Sequence, residues 1–207
     1  MISKLLLQGP SDSGKTSLIL HTLQQAKLAA GGFVVQRLLL PTGIRAYCLT
    51  PVAEANSPCL PYDPEQAGIF LNITADGAQF SADTFLRQFI ALTENQPFLV
   101  LDEIGGAELQ LSPIRQRLSE LFRSDSVILG VWKSQENLEH LIDRGNLTPD
   151  LLNYHDELET LFSSTHGALL VNHLPSAEDM RGFLGQNGLL TYPPSCQRAN
   201  SAEVETL

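Results

Sequence analysis

One stretch, residues 4–20, constrains what this chain can fold into more than any other, and it reads KLLLQGPSDSGKTSLIL. Its apolar residues 5–7 predict a short buried strand. Residues 9–16 then have the spacing G-x-x-x-x-G-K-T, and a helical pattern begins at Ser17. A strand, a glycine-bounded loop and a helix in this order are the context in which that spacing indicates a phosphate-binding loop.

The residue types in this loop suit phosphate for separate physical reasons. Gly9 and Gly14 carry no Cβ, so the backbone can take unusual dihedral angles and approach a phosphate closely. Successive backbone N–H groups then point at the anion, and the start of the helix adds its partial positive charge. We expect Lys15 to lie between the β- and γ-phosphates and the Thr16 hydroxyl to bind Mg²⁺, which prefers oxygen ligands. The residues predicted to bind the nucleotide are Gly9, Pro10, Ser11, Asp12, Ser13, Gly14, Lys15, Thr16 and Ser17.

Asp12 is an unusual member of this loop, because it places a carboxylate where an anion is expected to bind. We expect its side chain to point to solvent or to cap a neighbouring N–H group. It is kept among the residues of the loop without a chemical role of its own.

A second informative stretch, PFLVLDE, covers residues 97–103. Its apolar run predicts a strand buried on both faces, as in a parallel sheet. Ligands of open α/β sheets bind beyond the carboxyl ends of the strands, which is where Asp102 and Glu103 lie. We expect Asp102 to support Mg²⁺, through its water shell, and Glu103 to orient or deprotonate an attacking water. The alternative is a strand that ends in solvated acids, or an Asp102 that caps the following helix.

Two cations further along the chain are candidates for contacting phosphate. Lys133 directly follows a predicted strand over residues 125–131, so it could contact the γ-phosphate or equally be an exposed surface lysine. Arg144 could stabilise phosphate charge, although a surface salt bridge fits its surroundings better.

The remaining pattern predicts an α/β fold with an open, mostly parallel sheet, helices on both faces and an inserted antiparallel β-hairpin. Residues 33–40 and 44–49 form the hairpin, and the proline-rich residues 50–66 form a loop. Further strands are expected over 68–73 and 167–171, a loop over 104–107, and helices over 17–30, 81–93, 112–122, 136–144, 149–162 and 176–184. Residues 1–190 are expected to form one domain and 191–207 a flexible tail.

Composition excludes several classes of function. The chain has 207 residues, a formal net charge of −10 and only 13 lysines and arginines, which argues against a nucleic-acid or membrane surface. Nothing at the amino end resembles a signal peptide, and no window is apolar enough to span a membrane. The three cysteines, Cys48, Cys59 and Cys196, lack metal-ligand spacing and cannot all pair, so we expect a cytoplasmic protein.

The segments GPSDSGKTSL, GGFVVQR followed by GIRAYCL, GIFLNI and LDEIGGAELQLS together resemble the thermophile-type (THEP) nucleoside-triphosphatases. These are P-loop enzymes that place an acid directly after the magnesium aspartate. The resemblance extends over about residues 3–132 and is poor from Glu136 onward, and the chain has Gly106 where the family frequently has lysine or proline.

This resemblance implies Mg²⁺-dependent hydrolysis of nucleoside triphosphates such as ATP or GTP, with little choice of base. It implies that Lys15 and Glu103 are catalytic and that Thr16 and Asp102 hold the metal. The family's hairpin often carries arginines like Arg37 and Arg45, which join the candidates for stabilising charge.

Two other functions remain open from the sequence. A nucleotide or small-molecule kinase would use the same loop with a hydroxyl acceptor, although no arginine-rich lid is visible and residues 50–66 would have to form the acceptor pocket. A nucleotide-dependent switch with slow hydrolysis would suit the acidic composition and the divergent C-terminal third, and it would need a protein partner.

Overall fold

A computed structural model describes residues 1–75, 77–143 and 147–190. The expected tail over 191–207, which includes Cys196, and the candidate cation Arg144 lie outside these residues. The strands are β1 (Lys4–Leu7), β2 (Gly31–Leu40), β3 (Gly43–Pro51), β4 (Cys59–Pro61), β5 (Ile69–Thr74), β6 (Gly77–Phe80), β7 (Phe98–Ile104), β8 (Val127–Trp132) and β9 (Ala168–Val171). The helices are α1 (Lys15–Ala26), α2 (Ala82–Thr93), α3 (Ser112–Arg123), α4 (Gln135–Asp143), α5 (Asp150–Ser164) and α6 (Ala177–Gln186), with a 3-10 helix over Ala107–Gln110.

These strands form one mixed sheet in the order β6-β5-β3-β2-β7-β8-β1-β9, and β4 pairs with β2 beside this path. The five strands from β2 to β9 in that order are parallel, whereas β3, β5 and β6 extend the sheet with antiparallel pairing. The expected parallel sheet with an antiparallel hairpin is therefore confirmed. In a parallel sheet the carboxyl ends of the strands meet at one edge, and here that edge carries the loops after β1, β7 and β8.

Helices cover both faces of the parallel strands, which is why those strands are buried on both sides. Within β7, Leu99 and Leu101 pack into the core beneath α2, α3 and α5, while Phe98 and Val100 pack into the opposite core with α1 and α6. The apolar run PFLVL follows from this arrangement, because a strand with two buried faces needs no polar alternation. No helix in the described parts of the chain is long and apolar enough to cross a membrane.

The first helix is shifted toward the amino end relative to the predicted residues 17–30. It begins at Lys15, inside the glycine-bounded loop, and ends at Ala26. Lys27 then adopts the left-handed conformation, with φ of 53°, and its N–H donates to the carbonyl of Gln24 at 3.1 Å. The predicted stop at Gly31 was therefore too late, since a lysine supplies the left-handed residue that glycine usually supplies.

The glycine pair at residues 31–32 serves the sheet and not the end of a helix. Gly31 and Gly32 belong to β2 and pair with Leu99 and Val100 of β7. A Cβ atom on Gly32 would lie 2.0 Å from the carbonyl oxygen of Val100. Only glycine allows this close approach of the two strands.

The loop predicted over residues 50–66 contains the short strand β4. The backbone N–H of Arg37 donates to the carbonyl of Pro58 at 2.9 Å, and that of Tyr62 donates to Leu39 at 2.8 Å. β4 thus runs along the outer half of β2, beyond the part of β2 that pairs with β7. Proline and the absence of periodicity concealed this edge pairing, which has consequences for the site.

Two further boundaries differ from the prediction. β6 was not expected, and it pairs with β5 through residues that lack an apolar pattern. β7 continues to Ile104, where a loop over 104–107 was expected, because Ile104 is fully buried and pairs with Trp132 after an irregularity in the ladder.

Candidate active site

The loop between β1 and α1 has the backbone that a phosphate-binding loop requires. Gly9 and Gly14 have φ of 140° and 88°, values that L side chains rarely adopt. The Lys15 ammonium lies across this loop, donating to the carbonyls of Gly9 at 3.0 Å and Pro10 at 2.6 Å and to the Ser13 hydroxyl at 2.9 Å. Burial lowers the pKa of Lys15, and the nearby carboxylates oppose that shift.

Asp12 is exposed, as expected, and its carboxylate forms an ion pair instead of capping the loop. Its carboxylate pairs with the guanidinium of Arg37, and 72% of its side chain remains exposed. Its φ of 61° is left-handed, a conformation that aspartate tolerates better than most residues. Asp12 therefore supplies a left-handed turn residue and anchors an arginine from β2.

Asp102 lies directly beneath Thr16 and is 1% exposed. The Thr16 hydroxyl donates to both carboxylate oxygens, at 2.9 Å and 3.1 Å, and the backbone N–H of Val35 donates to Oδ2 at 3.0 Å. Burial raises the pKa of Asp102, and the adjacent charge of Glu103 adds to that shift. The alternatives for Asp102, a solvated acid or a helix cap, do not describe this environment.

The contact between the Thr16 hydroxyl and the Asp102 carboxylate shows whether these two side chains suit a magnesium ion. A hydroxyl oxygen and a carboxylate oxygen within hydrogen-bonding distance of each other are a donor set that Mg²⁺ accepts. The ion usually keeps several waters and takes its remaining ligands from the substrate's phosphates, so two protein groups suffice. Thr16 and Asp102 are therefore the residues that would hold it.

Glu103 lies beside the loop and between two cations. Its side chain is 28% exposed, and its carboxylate oxygens are 3.8 Å from a guanidinium nitrogen of Arg37 and 3.7 Å from Nζ of Lys133. Its φ of 53° turns the backbone away from extended geometry near the end of β7. The structure thus brings a carboxylate and two cations together at the mouth of the phosphate loop.

The four candidate cations fall in different places. The side chains of Arg37 and Lys133 line the cleft, and each is 21% exposed, which excludes a freely solvated surface lysine at residue 133. Arg45 does not line the cleft, since its guanidinium donates to the carbonyl of Ile73 and lies over the ring of Tyr62. Arg144 is outside the described residues.

The cleft is lined by residues of the predicted motifs and by others that no sequence motif indicated. The loop forms its floor, Arg37 and Val35 of β2 form one wall, and β8 with the start of α4 forms the other. Residues that line it but were not predicted are Val35, Pro58, Cys59, Val131, Trp132 and Asn137. The pairing of β4 with β2 brings Pro58 and Cys59 here, and no local pattern could have indicated that.

A family model described as NTPase matches residues 4–151. A crystal structure of THEP1 from the hyperthermophile Aquifex aeolicus is 13% identical, with a TM-score of 0.53 and coverage of 90% of this chain and 96% of that one. A solution structure of a human cancer-related nucleoside triphosphatase is 17% identical, with a TM-score of 0.42 and coverage of 82% and 100%. No curated protein matches the chain.

Proposed function

The chain belongs to the NTPase family, whose model spans most of its length, and we propose that it hydrolyses nucleoside 5′-triphosphates to the diphosphate and phosphate with Mg²⁺. The observation that carries this proposal is the position of Glu103, at the mouth of the phosphate loop and beside Arg37 and Lys133. A carboxylate there is placed to accept the proton of an attacking water.

In this proposal the loop binds the triphosphate through its backbone N–H groups and the amino end of α1. Lys15 exchanges its three loop oxygens for oxygens of the β- and γ-phosphates. Thr16 and Asp102 would hold Mg²⁺, which when bound neutralises charge on the β- and γ-oxygens. Asp102 remains fixed by the N–H of Val35 throughout.

Glu103 acts on the attacking water. Its carboxylate accepts a hydrogen bond from the water and takes its proton as the water oxygen bonds to the γ-phosphorus. The bond between the γ-phosphorus and the β–γ bridging oxygen breaks, and the electron pair leaves with the diphosphate. Arg37 and Lys133, which flank Glu103, supply positive charge to the transferring group.

Little preference for the base belongs to the same proposal and is supported by the resemblance of the LDEIGGAELQLS segment. A cytoplasmic location is supported by Cys48 and Cys59, which are free thiols in the part of the chain that the structure describes.

The test is phosphate release with Mg²⁺ and each of ATP, GTP, CTP and UTP, without any other acceptor. We expect turnover of several nucleotides by the natural chain and a loss of about 10²–10⁴-fold in Glu103→Gln, with nucleotide binding retained. Lys15→Ala should lose turnover as well, whereas Glu157→Gln, an exposed change on α5, should leave it unchanged.

Three outcomes would redirect the proposal. Full turnover in Glu103→Gln would remove the assigned role of that residue. Nucleotide binding without release from any of the four would favour a kinase that lacks its acceptor. Very slow release that rises when a protein partner is added would favour a switch.

A further inference from the structure

Glu108 is a buried carboxylate that the mechanism above does not use. It lies in the 3-10 helix after β7 and is only 6% exposed. Its Oε1 accepts two backbone hydrogen bonds, from Gly105 at 2.6 Å and from Gly106 at 2.8 Å. Both bonds therefore hold the segment that directly follows Glu103 and Ile104, and both use the same oxygen.

That segment is a tight turn in an unusual conformation. Glu103 and Gly105 have φ of 53° and 92°, so one left-handed residue lies on each side of Ile104. A left-handed conformation is unfavourable for a residue such as glutamate, so the surrounding structure must hold it in place. The pairing of β7 with β8 is also irregular between Leu101 and Ile104, directly before this turn.

The turn is restrained from two sides. On the side of β8, the backbone N–H of Lys133 donates to the carbonyl of Ile104 at 2.8 Å. On the other side, Glu108 accepts the N–H groups of Gly105 and Gly106. Glu108 does not line the cleft; its hydrogen bonds connect it to Glu103 through this turn, and its carboxylate is also within range of the Lys133 charge.

We propose that Glu108 is a positioning residue that fixes the turn after β7 and thereby aims the Glu103 carboxylate into the cleft between Arg37 and Lys133. This inference rests on the proposed hydrolytic function of the site. The proposed role requires a side-chain oxygen at the distance of Oε1 from the backbone, because this one oxygen accepts both hydrogen bonds. The negative charge of Glu108 is not required.

Three variants separate reach from charge. Glu108→Gln keeps the reach and one carbonyl oxygen without the charge, Glu108→Asp keeps the charge one methylene short, and Glu108→Ala removes both. Glu157→Ala on the exposed face of α5 is the control. We expect kcat for phosphate release to stay within about threefold in Glu108→Gln and to fall about 10–100-fold in Glu108→Asp and Glu108→Ala, with KM changed less than threefold in all.

The order of the glutamine and aspartate variants decides the inference, even if the alanine variant does not fold. An aspartate variant that is more active than the glutamine variant would show that charge matters, and would overturn it. Equal loss in all three variants, or no loss in any, would overturn it as well.

Amide hydrogen exchange of Gly105 and Gly106, measured by NMR, gives a readout that needs no activity. We expect slow exchange in the natural chain and in Glu108→Gln, and faster exchange in Glu108→Asp. Slow exchange in the natural chain without any phosphate release would mean that the proposed function fails while the restraint on the turn stands. Release that is normal in Glu108→Asp despite fast exchange would mean that the turn does not position Glu103.

Discussion

Replacing Gly105 by alanine tests how strictly the turn after β7 is specified. The structure places a Cβ on this residue 3.1 Å from two carbons of the Trp132 indole and 3.2 Å from a third. The indole cannot move away easily, since it is buried, donates to Glu159 at 2.9 Å and packs against the tilted ring of His155 at a centroid distance of 4.8 Å. The substituted residue must also keep φ near 92°.

Each contribution has a known order of magnitude. A left-handed alanine costs about 1–2 kcal/mol, and overpacking against a fixed core ring costs about 1–3 kcal/mol. The lower entropy of the unfolded chain returns about 0.4–1 kcal/mol. We therefore expect Gly105→Ala to lower the free energy of unfolding by roughly 1–4.5 kcal/mol.

Gly182 supplies the matched control, because it lies exposed within α6 and a Cβ there meets nothing within 4 Å. Gly182→Ala should raise the free energy of unfolding by about 0.5–1 kcal/mol, so the two changes have opposite signs. Urea unfolding of both variants measures the difference. A Gly105→Ala chain as stable as the natural one would refute the reasoning, because it would show that Trp132 yields or that the turn relaxes freely.

Two further predictions concern charge. Arg37→Ala should lower kcat for phosphate release about tenfold or more, because Arg37 lies 3.8 Å from Glu103 in the cleft. Arg45→Ala should leave kcat within about twofold, because Arg45 lies over Tyr62 and outside the cleft. Equal effects of the two changes would contradict this prediction. Burial raises the pKa of Glu108 above its ordinary value of 4.5, so this group contributes stability below that value that is lost as the pH rises through its folded pKa. We therefore expect the free energy of unfolding of Glu108→Gln, relative to that of the natural chain, to increase from about pH 4.5 upward until it reaches a plateau. Urea unfolding at a series of pH values measures this difference. A difference that does not change with pH would contradict the prediction.

Local chemistry made the phosphate loop predictable from sequence. Two glycines, a lysine and a threonine at this spacing require one backbone path, and the adjacent strand and helix have strong local patterns. The meeting of Thr16 with Asp102 was also predictable, because both lie near the carboxyl ends of parallel strands and such ends share one edge of a sheet.

The charges around Glu103 were only partly predictable. Arg37 and Lys133 could be proposed as candidates, but Arg45 was an equal candidate on sequence grounds. Which arginine faces the cleft depends on the alternation of side chains in the hairpin and on the register of β2 against β3. The pairing of Asp12 with Arg37 needed the same information, since it joins a loop residue to a strand 25 residues away.

The wall of the cleft was not predictable, because it depends on β4. Three residues in a proline-rich segment carry no periodic signal, and they form a strand only because the outer half of β2 offers unpaired backbone groups. Likewise, Gly32 reads as a helix stop in sequence, and its close approach to Val100 becomes visible only when β2 and β7 are placed together.

The position of β1 in the sheet makes the phosphate loop depend on strands that are translated much later. Lys4 pairs with Ile128 on one side and with Ala168 on the other, so both neighbours of β1 are translated long after it. The nascent chain leaves the ribosome amino end first, so the phosphate loop emerges before the strands that flank β1. Long-range pairing of this kind is slow, because closing a long segment costs entropy before the contacts between the strands can stabilise the chain. The loop is thus translated before the two strands that flank its own strand, and the complete parallel sheet around β1 requires both of them.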